Sequence, residues 1–178
     1  MKRVQLVSLA VLLGAGVSCW TASARADEGV TFIPVLRLAL GPSIHLAPAS
    51  EEGTRLAVDI TAGLGIAVGR EKKAGFIFNP ELGYAFDGLG THAFNLSAGI
   101  GFGHPLAYVS YQPRLLAGSA SGSGLIGMRN GAVFHVLYDM GSLEIGHQFE
   151  SHGGIMHQGV VIMVGVNPAA FVYAISKL

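Results

Sequence analysis

The sequence predicts an all-β chain folded as an eight-stranded antiparallel up-and-down transmembrane β-barrel. Three observations carry that prediction. From Leu56 to Val68 every even position is apolar, while the odd positions are Ala, Asp, Thr, Gly, Gly and Ala. A period of two marks a strand with two chemically different faces, and the pattern recurs along most of the chain after residue 30. Charged residues make up only 12% of the chain, and mean hydropathy is +0.51, whereas a soluble domain carries about 25% charged residues. Yet no segment beyond the leader has the roughly 18 apolar residues of a membrane-spanning helix. A lipid-facing chain without such helices has one spanning solution, a closed barrel, because hydrocarbon cannot satisfy an open sheet edge.

Residues 1–26 read as a signal peptide. Lys2 and Arg3 form a basic start, an apolar stretch runs from Val4 to Val17, and Ala24-Arg25-Ala26 supplies small residues for cleavage before Asp27. Cleavage removes Cys19, the one cysteine, so residues 27–178 form no disulfide among themselves. It also removes Lys2, Arg3 and Arg25, leaving eight cations against eleven acids, a net charge near −3. The absence of a basic patch argues against nucleic acid as a partner. About 150 remaining residues make one domain.

The alternation places strands at 32–46, 55–69, 75–87, 92–104, 106–118, 125–139, 142–150 and from about 158 onward. Residues 47–54, 87–91, 119–124 and 151–157 read as longer loops, and the other connections as tight turns. That asymmetry is expected of an outer-membrane barrel with both termini in the periplasm. Phe86, Phe94 and Phe149 fall toward one rim, and Phe32, Phe76, Phe102 and Tyr138 toward the other, as interfacial girdles do. Pro80 and Pro113 lie inside strands, where each removes a ladder donor; they mark bulges or misplaced strand boundaries. Asn130 points to the apolar side. Asn167-Pro168 is a bulge in a long last strand or a turn into a ninth segment, the bulge being preferred, so 168–178 reads as a last-strand extension or a periplasmic tail.

Alternation alone does not say which face is outside, since a lipocalin-like soluble barrel turns its apolar side chains inward. A water-facing surface carries about 25–35% charged residues. Here the non-apolar face is mostly Gly, Ala, Ser, Asn and Thr, which suits a narrow interior, and the Leu, Ile, Val and Phe face suits lipid. With leader, strand count and alternation together, the chain resembles the small outer-membrane barrels of Gram-negative bacteria, the class that includes the outer-membrane protein A transmembrane domain and outer-membrane protein X. The resemblance implies a monomer in the outer membrane. Its partners would be outer-membrane lipid, lipopolysaccharide and the barrel-assembly machinery. Barrels of this class usually end in phenylalanine, whereas this chain ends Ile175-Ser176-Lys177-Leu178.

The ionisable residues on the inward face are Arg37, Asp59, Glu81, Arg114, Arg129, His135, Asp139, Glu144 and Glu150. An unpaired buried charge is costly, so opposite charges at similar heights should pair. Counting along the strands matches Arg37 with Glu81, Arg114 with Glu150, and Asp59 with Arg129. The expected lumen ionic network is therefore Arg37, Asp59, Glu81, Arg114, Arg129 and Glu150, filling the interior and leaving no continuous pore. A small gated conductance is the alternative. A lipid A-modifying enzyme is another, but the deacylase pattern His-x-Ser-Asn is not met after His147, where Gln148-Phe149 follow. No catalytic residue, cofactor or metal site is expected. His152 and His157 could hold a metal from a loop, though no spacing specifies a site. Gly99-x-Gly101-x-Gly103 is packing, with no helix behind it to make a phosphate loop. The expected role is structural or surface-interacting, not enzymatic.

Overall fold

The computed structural model of the chain describes residues 30–47, 53–68, 74–87, 90–104 and 106–175. The leader 1–26 and its cleavage site lie outside these residues. Eight strands follow one another: β1 (Val30–Ala47), β2 (Gly53–Val68), β3 (Gly75–Asp87), β4 (His92–His104), β5 (Ala107–Ala120), β6 (Ser123–Val136), β7 (Gly141–His152) and β8 (Ile155–Val166). Each pairs antiparallel with the next, and β1 closes on β8. The fold is a closed eight-stranded up-and-down barrel, with an appended helix α1 (Pro168–Ile175). We call the end holding Val30 and Val166 proximal, and the other end distal.

Side chains sort by parity. In β2, Ala57, Asp59 and Thr61 are buried, while Leu56 and Val68 are exposed. In β5, Ser110, Gln112, Arg114 and Leu116 are buried, while Val109, Tyr111 and Leu115 are exposed. The exposed set around the barrel includes Ile126 at 75%, Phe76 at 65% and Ile100 at 63%. Large apolar side chains thus cover the outer wall, and the interior holds the polar and small residues together with buried apolar groups such as Ile77, Leu116, Leu125 and Met163. On that outer wall Phe76 packs edge-on against Phe102 at 5.4 Å, and Tyr84 against Phe94 at 5.2 Å.

The prolines leave the register intact, and no bulge forms at Pro80 or Pro113. Across Pro80, β3 pairs without a break with β4, through Asn79↔Gly99, Pro80↔Ala98 and Glu81↔Ser97. Toward β2 the ladder lapses between Gly63↔Glu81 and Ile66↔Phe78 and resumes in the same register. Pro113 behaves alike: pairing with β6 runs through Pro113↔Asn130, and the ladder toward β4 lapses between Ser97↔Arg114 and Ile100↔Tyr111. Pro42 repeats the pattern at the β1–β8 seam, between Leu40↔Val164 and Ser43↔Val161. Each proline turns its donorless side toward one neighbour, and the cost is confined to that ladder. The one register shift at the seam lies between His45 and Ala47.

Two connections expected to be long are tight. The segment 119–124 is mostly strand, closing on Ser121-Gly122 with φ of 49° and 81°, and 151–157 closes on Gly153-Gly154 with φ of 58° and 77°. Two consecutive left-handed residues make the mirror-image turn whose twist matches paired strands. At the other end the β6–β7 connection spans 137–140, so β6 stops at Val136 rather than running to 139. Loop length therefore does not distinguish the two ends as the sequence suggests.

The last strand is not extended. It ends at Val166, and residues 168–175 form α1 instead. Asn167 is the N-cap: its Oδ1 accepts the Ala170 N–H at 3.2 Å, and Pro168 takes the first helical position. The same side chain continues the seam beyond β8. Asn167 Oδ1 accepts the Leu36 N–H at 3.0 Å, and Nδ2 donates to the Pro34 carbonyl at 3.2 Å. A strand residue would offer these groups from its backbone, so the helix can begin without leaving β1's edge bare.

Candidate functional site

The chemistry of the molecule is concentrated inside the barrel. Arg37 on β1 places its guanidinium between two carboxylates. Nη1 donates to both oxygens of Glu81 at 3.0 and 3.1 Å, and Nη2 to both oxygens of Asp139 at 3.2 Å. Gln112 carries the network onward, donating from Nε2 to Glu81 Oε1 at 3.0 Å and accepting from Arg114 Nη2 at 2.9 Å. Arg114 also donates to Asp59 Oδ2 at 3.1 Å and to Glu144 Oε2 at 2.7 Å. Arg129 shares the Asp59 oxygen at 2.5 Å and reaches Gln148 Oε1 at 2.9 Å. Gln148 in turn donates to Glu150 Oε2 at 2.6 Å. One unbroken lattice therefore runs from the proximal turn to the distal mouth, built from β1, β2, β3, β5, β6 and β7.

Every residue expected in the network, Arg37, Asp59, Glu81, Arg114, Arg129 and Glu150, lies buried inside the barrel. Arg37 meets Glu81 and Arg129 meets Asp59, but Arg114 does not meet Glu150. Counting residues from the rim ignores the stagger between tilted strands, and Arg114 arrives beside Glu144 and Asp59 instead. Sequence reading also passed over Gln112 and Gln148, which join the ion pairs into one network. Their inward parity was visible; their partners were not.

Small residues opposite make room for these long side chains. A Cβ on Gly165 would stand 3.1 Å from Arg37 Cδ, and one on Gly99 would stand 2.7 Å from Gln112 Cγ. At these positions glycine leaves the volume that the long side chains occupy, and in Gly99-x-Gly101-x-Gly103 a Cβ would stand within 2.7, 2.9 and 2.7 Å of a neighbouring atom.

The proximal end holds a second arrangement. Leu137, Tyr138 and Asp139 all have left-handed φ, at 54°, 59° and 69°, which costs roughly 1–2 kcal/mol per non-glycine residue. This turn returns the Asp139 carboxylate to the interior, where Arg37, His135 Nδ1 and Asn167 Nδ2 (3.1 Å) hold it. Burial opposes the charge, but Arg37 and the His135 and Asn167 hydrogen bonds outweigh it and hold the carboxyl below the usual carboxylate range. An ionised carboxylate only accepts, so His135 Nδ1 carries a hydrogen, and in the neutral ring Nε2 is the acceptor. Ser110 Oγ lies 2.8 Å from that Nε2. Tyr108 stacks on the His135 ring at 4.1 Å. Serine, histidine and aspartate thus stand in nucleophile, base and orienter order, although Ser110 is only 1% exposed.

Other polar groups near the sequence-predicted enzyme segment do not converge. Glu144 is inside the barrel, while His147 packs against Phe149 at 4.2 Å on the outer wall, opposite Asn130. Asn130 accepts a hydrogen bond from Tyr111 at 3.0 Å, which answers its outward placement. No family model, curated protein or solved structure matches the chain.

Proposed function

We propose that this chain is a monomeric integral outer-membrane β-barrel, exported by its leader, with a structural or surface-interaction role and no catalytic one. Its interior is closed by the ionic lattice rather than open as a pore. The observation that carries this reading is the orientation of the wall. Phe76, Phe94, Leu96, Ile100, Leu115 and Ile126 are all more than half exposed. In water a continuous apolar wall of this kind drives association; in a bilayer it is the required surface. The soluble-barrel alternative needs the opposite sorting. Lipid and lipopolysaccharide are the partners such a wall suits, and the interior lattice makes any conductance small.

The test is physical. The refolded protein should migrate differently in gels before and after boiling and should fractionate with outer membranes. Fluorophores at Ile100→Cys and Leu115→Cys should be quenched by brominated phospholipids, and one at Thr91→Cys in the β3–β4 connection should not. Silent wall probes, or an unheated sample that runs like the boiled one, would overturn the proposal.

One observation favours a second reading, a hydrolase: the Ser110–His135–Asp139 order. The structural reading treats it as an internal tie. A methyl on Gly101 would come within 3.0 Å of the Ser110 Cβ, and Tyr108 covers the histidine ring. We expect an alkyl fluorophosphonate to leave Ser110 unmodified. Labelling that disappears in Ser110→Ala, while the heat-dependent gel shift is kept, would make the hydrolase the better reading.

A further inference from the structure

We propose that α1 is an interfacial anchor, lying in the proximal leaflet of the bilayer with Phe171, Val172 and Ile175 among the acyl chains. This rests on the membrane reading above and adds a lipid-binding element beyond the strands. The sequence of α1 is Pro-Ala-Ala-Phe-Val-Tyr-Ala-Ile, apolar or aromatic throughout and without a charge. A helix that lacks a polar face is covered all round, by a protein core or by lipid. α1 packs on β1, and Ala169 and Ala170 are buried, whereas Phe171, Val172 and Ile175 are 55%, 45% and 59% exposed.

The backbone sets α1 in the line of the wall. β8 ends at Val166, opposite Leu38. Residues 30–37 of β1 pair with β2, from Val30↔Val68 to Arg37↔Thr61. Among the described residues no strand pairs with their other edge. Asn167 fixes the start of α1 to that edge through the Leu36 N–H and the Pro34 carbonyl, and Pro34 itself has no N–H to offer there. Hydrocarbon does not tolerate irregular backbone or a bare strand edge. A helix pairs its own backbone groups, so it can follow β8 along this edge within lipid.

The shape of the exposed apolar surface favours lipid over a second copy or another protein. Around the proximal rim Phe76 and Phe102 on β3 and β4, Leu106 and Leu137 in the adjoining turns, and Val166 at the end of β8 are all exposed. The two turns touch, the Leu137 N–H donating to the Leu106 carbonyl at 2.7 Å. α1 supplies the sector beside β1, where β8 has stopped. Protein partners cover a bounded patch; a band that runs around a barrel suits the membrane interface.

Trp20 is the one tryptophan of the chain, so a Trp20→Phe background leaves room for single probes. Phe171→Trp and Leu115→Trp, the latter at mid-strand on the wall, are placed in phosphatidylcholine vesicles with bromine either near the glycerol end or near the tip of the acyl chains. We expect both probes to lose emission. Phe171→Trp should respond mainly to the shallow bromines, as for a helix about 5–10 Å inside the headgroup boundary, and Leu115→Trp mainly to the deep ones. A silent Phe171→Trp beside a quenched Leu115→Trp would overturn the anchor and leave the membrane reading standing; a second copy or another protein covering α1 gives this result. Two silent probes would remove the membrane reading and the anchor with it. Quenching of Phe171→Trp mainly by the deep bromines would refute the interfacial placement. Should Phe171→Trp fail to form the compact gel species, Val172→Trp, also exposed, takes its place.

Discussion

Arg37→Met should destabilise the folded barrel by about 3–5 kcal/mol, the scale for removing one partner of a buried ion pair. Among the described residues its guanidinium is the one arginine group that contacts Glu81 and Asp139, and it contacts both through two oxygens each. Without it, two buried carboxylates lose their counter-charge together, and among the described residues Asp139 keeps His135 and Asn167. Reversible urea unfolding in detergent, followed by the heat-dependent gel shift, measures the change. Arg37→Lys should rescue little, because an ammonium cannot offer two parallel pairs of donors in fixed geometry.

The same logic ranks the other arginines. Arg129→Met should cost less, since Asp59 retains Arg114 at 3.1 Å. Removing the whole proximal set, Arg37→Met with Glu81→Leu and Asp139→Asn, should recover most of the loss, because an uncompensated charge is worse than an apolar replacement of the group. Equal losses for Arg37→Met and Arg129→Met would show that the lattice distributes charge more freely than its contacts indicate.

Strand period and face assignment were legible because burial inside a barrel follows a strict two-residue rule, and Asp59, Arg114 and Glu81 fall where that rule puts them. Three features were not read. The segments 119–124 and 151–157 read as longer loops, yet they close on the two-residue turns Ser121-Gly122 and Gly153-Gly154; composition matched loop and turn equally. Asn167-Pro168 was treated as a strand irregularity, although Asn followed by Pro is a cap and first-turn pair for a helix. The strong apolar pattern of β8 masked it. The pairing of Arg114 depends on strand stagger, a property of the closed barrel and not of any one segment.

Gly41 is where closure of the barrel is most sensitive to volume. It sits on β1 opposite Ala57, one residue before Pro42, at the point where the β1–β8 ladder lapses. A Cβ there would stand 1.9 Å from the Ile162 carbonyl oxygen and 2.9 Å from the Met163 Cα. These are backbone atoms of the closing strand, which cannot swing aside as a side chain does, and the missing proline N–H already weakens the seam. We therefore expect Gly41→Ala to cost at least the roughly 1–3 kcal/mol of ordinary overpacking, and Gly41→Val to abolish the compact gel species. Gly65→Ala is the internal comparison, since its Cβ would first meet the Asn79 side-chain oxygen at 3.1 Å, and Gly53→Ala, with nothing within 4 Å, should be neutral. If Gly41→Ala unfolded at the same urea concentration as the unaltered chain, β1 and β8 would have to stand farther apart than their pairing describes, and the barrel's closure at this point would have to rest on something other than close backbone contact.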